Sequence, residues 1–329
     1  MTQVSKEKLA KTICIGRIIS EYVSEQIEDR IEKVKSWELF IGGTAGAVAH
    51  GLAKLKCPVS FIGCIGDDSA GQKLTAFLEA DGIDIRGLRK TYDAQTGWSW
   101  CVRHPNGDRS FYAPQVSYEH LADSQLSIFD IDSDWFQDVK FVIPQSTHLG
   151  PDHGREALFY VRELTRKANA LLCFVINQRA YAWPDLATAK ERTLEYAKSS
   201  DITKINLADS TKLFGATTIK ELRKILPNNR GIILTKGQGG CEYILDGYEG
   251  YLPSYSVKVE DSTGAGCAFF AAFISMLVKH GVDSMKDKDT CETYMRFANA
   301  AGAFSVSRMG AVGSLPTELE IEELMQQQS

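Results

Sequence analysis

From residue 139 onward the chain repeats one phrase, a short apolar run followed by an amphipathic stretch. "VKFVIP" precedes "GREALFYVRELTRKAN", and "ALLCFVIN" precedes a helical pattern around Thr188 to Lys198. "ITKINL" leads to "TIKELRKIL", and "GIILTKG" leads to the hairpin-like "GCEYILDGYEGYLPSYSVKV". Strands buried on both faces read as continuous apolar runs, and strands alternating with helices need crossovers. The pattern therefore predicts a mostly parallel central sheet covered by helices, a three-layer α/β/α arrangement with right-handed connections. Two helical stretches, "TGAGCAFFAAFISMLVKH" and "ETYMRFANAAGAFSVSR", are expected to close the chain.

The first third has the same elements with interruptions. "KTICIG" reads as the first strand, "TAGAVAHGLAKLKC" as a helix of small residues, and "VSFIGCIG" as a strand. "DDSAGQKLTAFLEADGI" reads as a helix capped by Asp68 or Ser69 and stopped by Gly82. "TGWSWCVRHPNGDRSFYA" reads as a hairpin turning at Pro105, Asn106 and Gly107. The strand-rich pieces at about 17–41 and 91–118 are expected to be inserts that form a small β-lid. No linker or repeat divides the 329 residues, so 1–329 is expected to be a single domain.

Composition removes several classes of function. Net charge is −5 and no long Lys/Arg block occurs, which argues against nucleic acid as a partner. The eight cysteines are scattered without a CxxC, which suits reduced thiols in the core. The longest apolar run, "CAFFAAFISMLV", is too short to span a bilayer, and the amino terminus has no secretory pattern. A cytoplasmic location without membrane partners is the expectation.

Two short loops carry the chemistry. "STGAG" stands just before the apolar helix. Backbone N–H groups at Ala265, Gly266 and Cys267, freed at a helix start, suit a phosphoryl group. "TKGQGG", Thr235 to Gly240, follows another buried strand. Both lie at carboxyl ends of predicted strands, where open parallel sheets bind ligands. Lys236 either reaches a phosphate or lies on the surface. Arg109 either touches substrate or is a solvated hairpin residue. The alternating aromatics Trp98, Trp100, Phe111 and Tyr112 suit lid packing or a homodimer contact through the lid.

Taken together, these segments resemble the PfkB/ribokinase family of small-molecule kinases, and fructokinases within it. The carrying motifs are "GGTAGAVAHGLAKL" with "FIGCIGDDSAGQKL", "NQRAYAWPD", "TKINLADSTKLFG", "ILTKGQGGCEY", "DSTGAGCAFFAAF" and "FANAAGAFSVSRMGAVGSLPT". The resemblance implies a ribokinase-like fold and transfer of the γ-phosphoryl group of ATP, with Mg2+, to a hydroxyl of a sugar or nucleoside. K+ is a further candidate cofactor. By the same resemblance Gly264, Ala265, Gly266 and position 267 form the catalytic turn, and Lys236, Gly237, Gly239, Gly240 and Asn299 face the nucleotide. Glu21, Gly42, Gly43, Ala47, Asn177 and Arg179 face the acceptor, and Asp209 supports magnesium through water.

The chain departs from the family at telling places. The family's base is an Asp immediately after the GAG turn, and here it is Cys267. A thiol at a helix start is a candidate for a lowered pKa and a substitute base. Glu21 stands for a shorter Asp, Ala47 for an Asn, Ala113 for a basic residue and Val175 for an Asp. Each lost polar partner weakens a hydroxyl-binding site by about a kcal/mol or more. The expectation is a sugar kinase with weakened catalysis. The alternative is a pseudokinase that serves as a nucleotide- or metabolite-binding module or a scaffold.

Overall fold

The repeating phrase becomes a nine-stranded sheet. Its strands in chain order are β1 (Lys11–Ile15), then β4 (Val59–Gly66) and β5 (Asp84–Thr91), then β8 (Val139–Pro144), β9 (Leu171–Val175), β10 (Ile202–Asn206), β11 (Gly231–Thr235), β12 (Cys241–Leu245) and β13 (Tyr248–Leu252). The computed structural model describes residues 11–105, 109–112, 117–310 and 313–328. Asn106 and Gly107 of the expected hairpin turn, and Ala113, lie outside them. The spatial order is β13-β12-β11-β10-β9-β8-β1-β4-β5. Strands β5 through β11 across the sheet are parallel, and β12 and β13 add an antiparallel edge. The β12–β13 hairpin turns at Asp246 and Gly247, both at positive φ (43 and 96), as a two-residue primed turn requires.

Alternate residues of each strand feed two cores. Cys14, Phe61, Phe141, Cys173 and Ile233 pack on one face, and Ile13, Ile62, Val142, Phe174 and Ile232 on the other. The first face is covered by α1 (Thr44–Lys54), α2 (Ser69–Ala80), α7 (Ala265–His280), α8 (Lys288–Ser305) and α9 (Glu318–Gln327). The second is covered by α3 (Asp152–Lys167), α4 (Leu186–Lys198), α5 (Leu207–Phe214) and α6 (Ile219–Ile225). Helix α7 buries Phe269, Phe270, Phe273, Ile274, Leu277 and Val278. At roughly 1.5–3 kcal/mol for each large apolar side chain, it is a main fastening of the fold. Gly51 lets α1 and α7 close on each other, since a Cβ there would sit 2.7 Å from the Ala271 Cβ.

The lid is a four-stranded sheet of β2 (Ile19–Ile27), β3 (Trp37–Gly42), β6 (Trp98–Arg103) and β7 (Arg109–Tyr112), in the order β3-β2-β6-β7. Strand alternation gives it two unlike faces. Ile19, Glu21, Ser99, Arg109 and Phe111 line the large cavity, while Trp100 stacks on Tyr22 and meets Trp37 edge-on, each at a centroid distance of 4.8 Å. Phe111 thus belongs to the cavity rather than to that outer aromatic packing.

Three elements depart from the sequence reading. Strand β5 and helix α5 form where no separate element is expected. A third helix, α9, follows the two expected to close the chain. Its start is a capping box: the Thr317 side chain caps Glu320 N–H, and the Glu320 carboxylate accepts from Thr317 N–H at 2.8 Å. Among the described residues no helix is long and apolar enough to cross a membrane, and all eight cysteines are free.

Candidate active site

Chain order places β1 beside β8 and β4, so the winding direction reverses at β1. Ligands in such sheets bind beyond the carboxyl ends of strands near this switch point. A cavity of about 1470 Å³ lies there. The residues after five strands open into it: Arg17 after β1, Gln145 after β8, Ile176 and Asn177 after β9, Asn206 at the end of β10, and Thr235 at the end of β11. The lid's inner face covers one end, and the start of α7 forms the floor between the two ends.

Gly264 is the N-cap of α7 at φ 85, a conformation only glycine adopts freely. Its carbonyl accepts from the N–H groups of Cys267 (2.8 Å) and Ala268 (2.9 Å). Cys267 N–H is therefore already engaged, which narrows the expected anion hole. The N–H groups of Ala265 and Gly266 have no partner among the described residues, and they face the cavity with the positive end of the helix dipole behind them. Gly266 has a second purpose. A Cβ there would lie 2.6 Å from the Lys204 Nζ, so the missing side chain makes room for an ammonium beside the helix start.

Lys204 was not singled out from sequence. It is a lysine inside an apolar parallel strand, and that incongruity was the available signal. It is 5% exposed. Burial lowers its pKa, while Cys267 and Asp209 act in the opposite direction. Asp209 lines the same wall. Its Oδ2 accepts from Gln178 N–H (3.1 Å) and Asn206 Nδ2 (2.7 Å), and its own N–H is capped by Asn206 Oδ1 at the start of α5. No group of three or more His, Cys, Asp or Glu side chains converges among the described residues. A divalent ion here has to be held by Asp209, water and a nucleotide's own oxygens, which is how Mg2+ is ordinarily bound.

The thiol at position 267 is not activated. Burial pushes its pKa up, outweighing the cations Lys204, Arg179 and Arg109, and Glu21 pushes it further the same way. The shift runs opposite to the lowered thiol pKa expected at a helix start, although Cys267 is only half-buried. Cys267 stays protonated at neutral pH and is a poor proton acceptor.

At the acceptor end, Glu21, Gly43, Thr44, Ala47, Val175, Asn177 and Arg179 line the cavity. The Asn177 Nδ2 donates to Thr44 Oγ1 at 2.6 Å, tying the β9 loop to the start of α1. Arg179 stacks over Phe111, 4.4 Å from the ring centroid. Gly42 does not line the wall. Its missing Cβ leaves room for the Glu21 Oε2, which would otherwise be 2.4 Å away. Ala47 and Val175 bring no hydrogen-bonding side chain.

Glu21 is 4% exposed, and its Oε1 has no hydrogen-bond partner among the described residues. Burial raises its pKa to about 7, against the pull of Arg179, Arg109 and Arg17. Below pH 4.5 the carboxyl is protonated in both folded and unfolded chains. Between 4.5 and about 7 only the unfolded chain releases the proton, so stability falls across that window. The shift corresponds to about 3 kcal/mol. Glu21→Gln should therefore raise the thermal midpoint, with no gain at pH 4 and the full gain above pH 7, measured by calorimetry across that range.

The glycine-rich loop after β11 reaches the other end of the cavity. Gly237, Gln238 and Gly240 line the wall, with Gly237 and Gly240 at positive φ (58 and 75), while Gly239 lies in the turn behind it. A Cβ on Gly240 would meet the Leu252 carbonyl at 1.9 Å, so only glycine fits. Asn299 lines the wall and its Nδ2 donates to the Pro253 carbonyl at 2.7 Å, fixing the loop after β13. Lys236 is absent from the wall. Its ammonium is ion-paired with Glu242, whose other oxygen accepts from Ile219 N–H at 2.7 Å. The open choice for Lys236 thus resolves away from a phosphate, because a carboxylate on the neighbouring strand holds it.

Arg17, also missed from sequence, is a buried ion-pair partner of Asp123 and donates to the Tyr181 hydroxyl. Tyr118 and Tyr181 flank its guanidinium at 5.2 and 5.3 Å. Arg109 faces the cavity rather than solvent and donates to Ser262.

The family model for pfkB family carbohydrate kinases matches residues 9–318. The chain belongs to the pfkB family. Among curated pfkB relatives, fructokinase-1 of Oryza sativa subsp. japonica is 28% identical, covering 95% of this chain and 97% of the relative. The fold is that of solved fructokinases. Fructokinase from Xylella fastidiosa with bound ATP superposes with a TM-score of 0.86 at 22% identity, over 99% of each chain. A double mutant of fructokinase from Vibrio cholerae O395, solved with fructose, ADP and potassium ion, gives 0.84 at 19%, over 96% of this chain and 98% of that one. The three-layer ribokinase-like fold, with its lid over the strand ends, is therefore the scaffold of a fructokinase-like pfkB protein.

Proposed function

We propose that this protein transfers the γ-phosphoryl group of ATP, with Mg2+, to a hydroxyl of a small sugar or nucleoside. One observation carries the reading: a single cavity joins the polar acceptor wall of Glu21, Asn177 and Arg179 to two unused backbone N–H groups at the start of α7, with the Lys204 ammonium beside them. Phosphoryl transfer rests mainly on positioning and charge stabilisation, and these groups supply both. The loops at Gly237–Gly240 and around Asn299 border the nucleotide end, and the ATP and fructose in the pfkB structures above suit the two ends. Magnesium, when bound near Asp209, neutralises charge on the phosphate oxygens. K+ is carried over from the Vibrio protein as a candidate activator.

Position 267 does not take the acceptor's proton, and Ala47 and Val175 offer the acceptor no hydrogen bond. We therefore expect slower turnover than in a site with a carboxylate at 267 and an amide at 47. The same three positions favour the second reading, a nucleotide- or metabolite-binding or scaffold protein. Calorimetry with MgATP and a coupled ADP-release assay with D-fructose, D-ribose and adenosine separate the two. MgATP binding together with acceptor-dependent ADP release supports the kinase. MgATP binding without ADP release from any acceptor supports the second reading, and no MgATP binding removes both nucleotide roles.

A further inference from the structure

The unreactive thiol leaves a chemical gap. An acceptor hydroxyl that attacks phosphorus must lose its proton, and the group at the family's base position cannot take it. We propose that Glu21, on the cavity face of β2, is the general base of this protein. The inference rests on the kinase reading above and names the group that completes it.

Among the described residues that line the cavity only Glu21 and Asp209 carry carboxylates. Asp209 is committed, since its Oδ2 accepts two hydrogen bonds and it stands on the Lys204 wall. Glu21 lines the cavity and no hydrogen bond holds its carboxylate among the described residues. Its Oε2 lies over Gly42, and its Oε1 is buried without a hydrogen-bond partner among the described residues. An unpartnered buried carboxylate oxygen is costly unless something supplies it with a proton or a donor. An acceptor hydroxyl supplies that donor.

Glu21 also lies close enough to the reaction floor to be felt there. Its charge acts on the Cys267 thiol, as do those of Lys204, Arg179 and Arg109. The carboxylate and the family's base position thus line the same cavity. The side chain is one methylene longer than the Asp that the family resemblance places at 21.

Burial is what raises its basicity, and the charged groups around it trim that effect. Arg17 after β1, Arg109 on β7 and Arg179 after β9 pull the carboxyl down, and Asp261 before α7 pushes it up. Cys101 on β6 and Cys267 on α7 complete the surroundings, both held protonated by burial. The outcome, about 7, is where a general base works best in neutral solution.

The step balances. The acceptor oxygen forms its bond to the γ-phosphorus as the bond from that phosphorus to the bridging oxygen breaks, and ADP departs with the bond pair. The hydroxyl proton moves to Glu21 Oε1 and passes to water when the phosphorylated product leaves. Lys204 and the N–H groups of Ala265 and Gly266 hold the charge on the transferring group.

The test is a four-protein series, wild type, Glu21→Gln, Cys267→Asp and the double variant, assayed with MgATP and D-fructose, D-ribose and adenosine. Glu21→Gln should lower kcat by about 10²–10⁴-fold, the ordinary worth of a general base. In the Glu21→Gln background, Cys267→Asp should restore at least tenfold of that loss. The acid limb of the wild-type kcat/KM profile should fall near pH 7 and move to lower pH in the double variant. A residue that only held the acceptor would raise KM, leave the limb in place and gain nothing from a carboxylate at 267. Any of those results overturns the proposal. Turnover by Cys267→Asp alone, with an inactive wild type, overturns the base and leaves the kinase reading standing. No turnover by any of the four while MgATP binds overturns the reading and the base together.

Discussion

Lys204→Met should lower kcat by two to three orders of magnitude while leaving the thermal midpoint unchanged or raised. The first half follows from position. The ammonium stands against the start of α7, where two backbone N–H groups already point at the same space. A preorganised positive charge at a developing phosphoryl charge is worth about 3–4 kcal/mol when removed. The second half follows from burial. Desolvation depresses the lysine's pKa, so at neutral pH the fold bears the cost of keeping it charged. Methionine fills a similar volume without that cost. Gly266→Ala should act in the same direction more weakly, because the new Cβ displaces the ammonium rather than removing it. Steady-state kinetics and calorimetry on the two variants check this together. A loss of stability that parallels the loss of kcat would mean that Lys204 is structural.

Lys204 also shows where sequence reading ran out. The alternation of apolar runs and helices was enough to place strands, layers and the switch point, because both faces of a parallel sheet must be apolar. Local chemistry was enough for the Asp68 cap, whose carboxylate accepts from Gly71 N–H at 2.7 Å, and for the glycine turn before α7. What stayed hidden was which distant residue meets which. Arg17 and Asp123 are 106 residues apart and meet only because the segment that follows the lid returns to the end of β1. Lys236 reads as either a phosphate ligand or a surface residue, and the β11–β12 register sets Leu234 opposite Glu242 and brings that carboxylate to the lysine. The thiol at 267 reads as a candidate for activation, yet burial outweighs three nearby cations. Glu21 was legible as a carboxylate facing the acceptor. Its free oxygen and its basicity depend on burial between the lid and the strand ends, beside Gly42 and against the pull of Arg179 and Arg109, a setting that only the tertiary fold creates.

Arg17→Met should destabilise the protein by about 3–5 kcal/mol, the largest stability effect expected of one substitution near the site. Both partners of the Arg17–Asp123 pair are almost wholly buried, with side chains 4% and 0% exposed. Removing the cation leaves Asp123 charged in a medium that cannot solvate it, which is far more costly than the net worth of the intact pair. Asp123 has no room to turn toward water, since a Cβ on Gly97 would lie 2.0 Å from its Oδ1. Tyr118 and Tyr181 would also lose the guanidinium between them, a further stacking contribution of about 1–2 kcal/mol at a desolvated position. Burial works against the charge of Arg17, yet Asp123 and the two tyrosines hold its pKa well above the usual arginine value, so it stays charged at any accessible pH. The defect should therefore respond to the carboxylate alone. In Arg17→Met, adding Asp123→Asn should recover most of the lost stability by removing the stranded charge. Urea denaturation of the single and double variants measures it. A double variant no more stable than Arg17→Met would show that the pair's packing, and not the stranded charge, sets the loss.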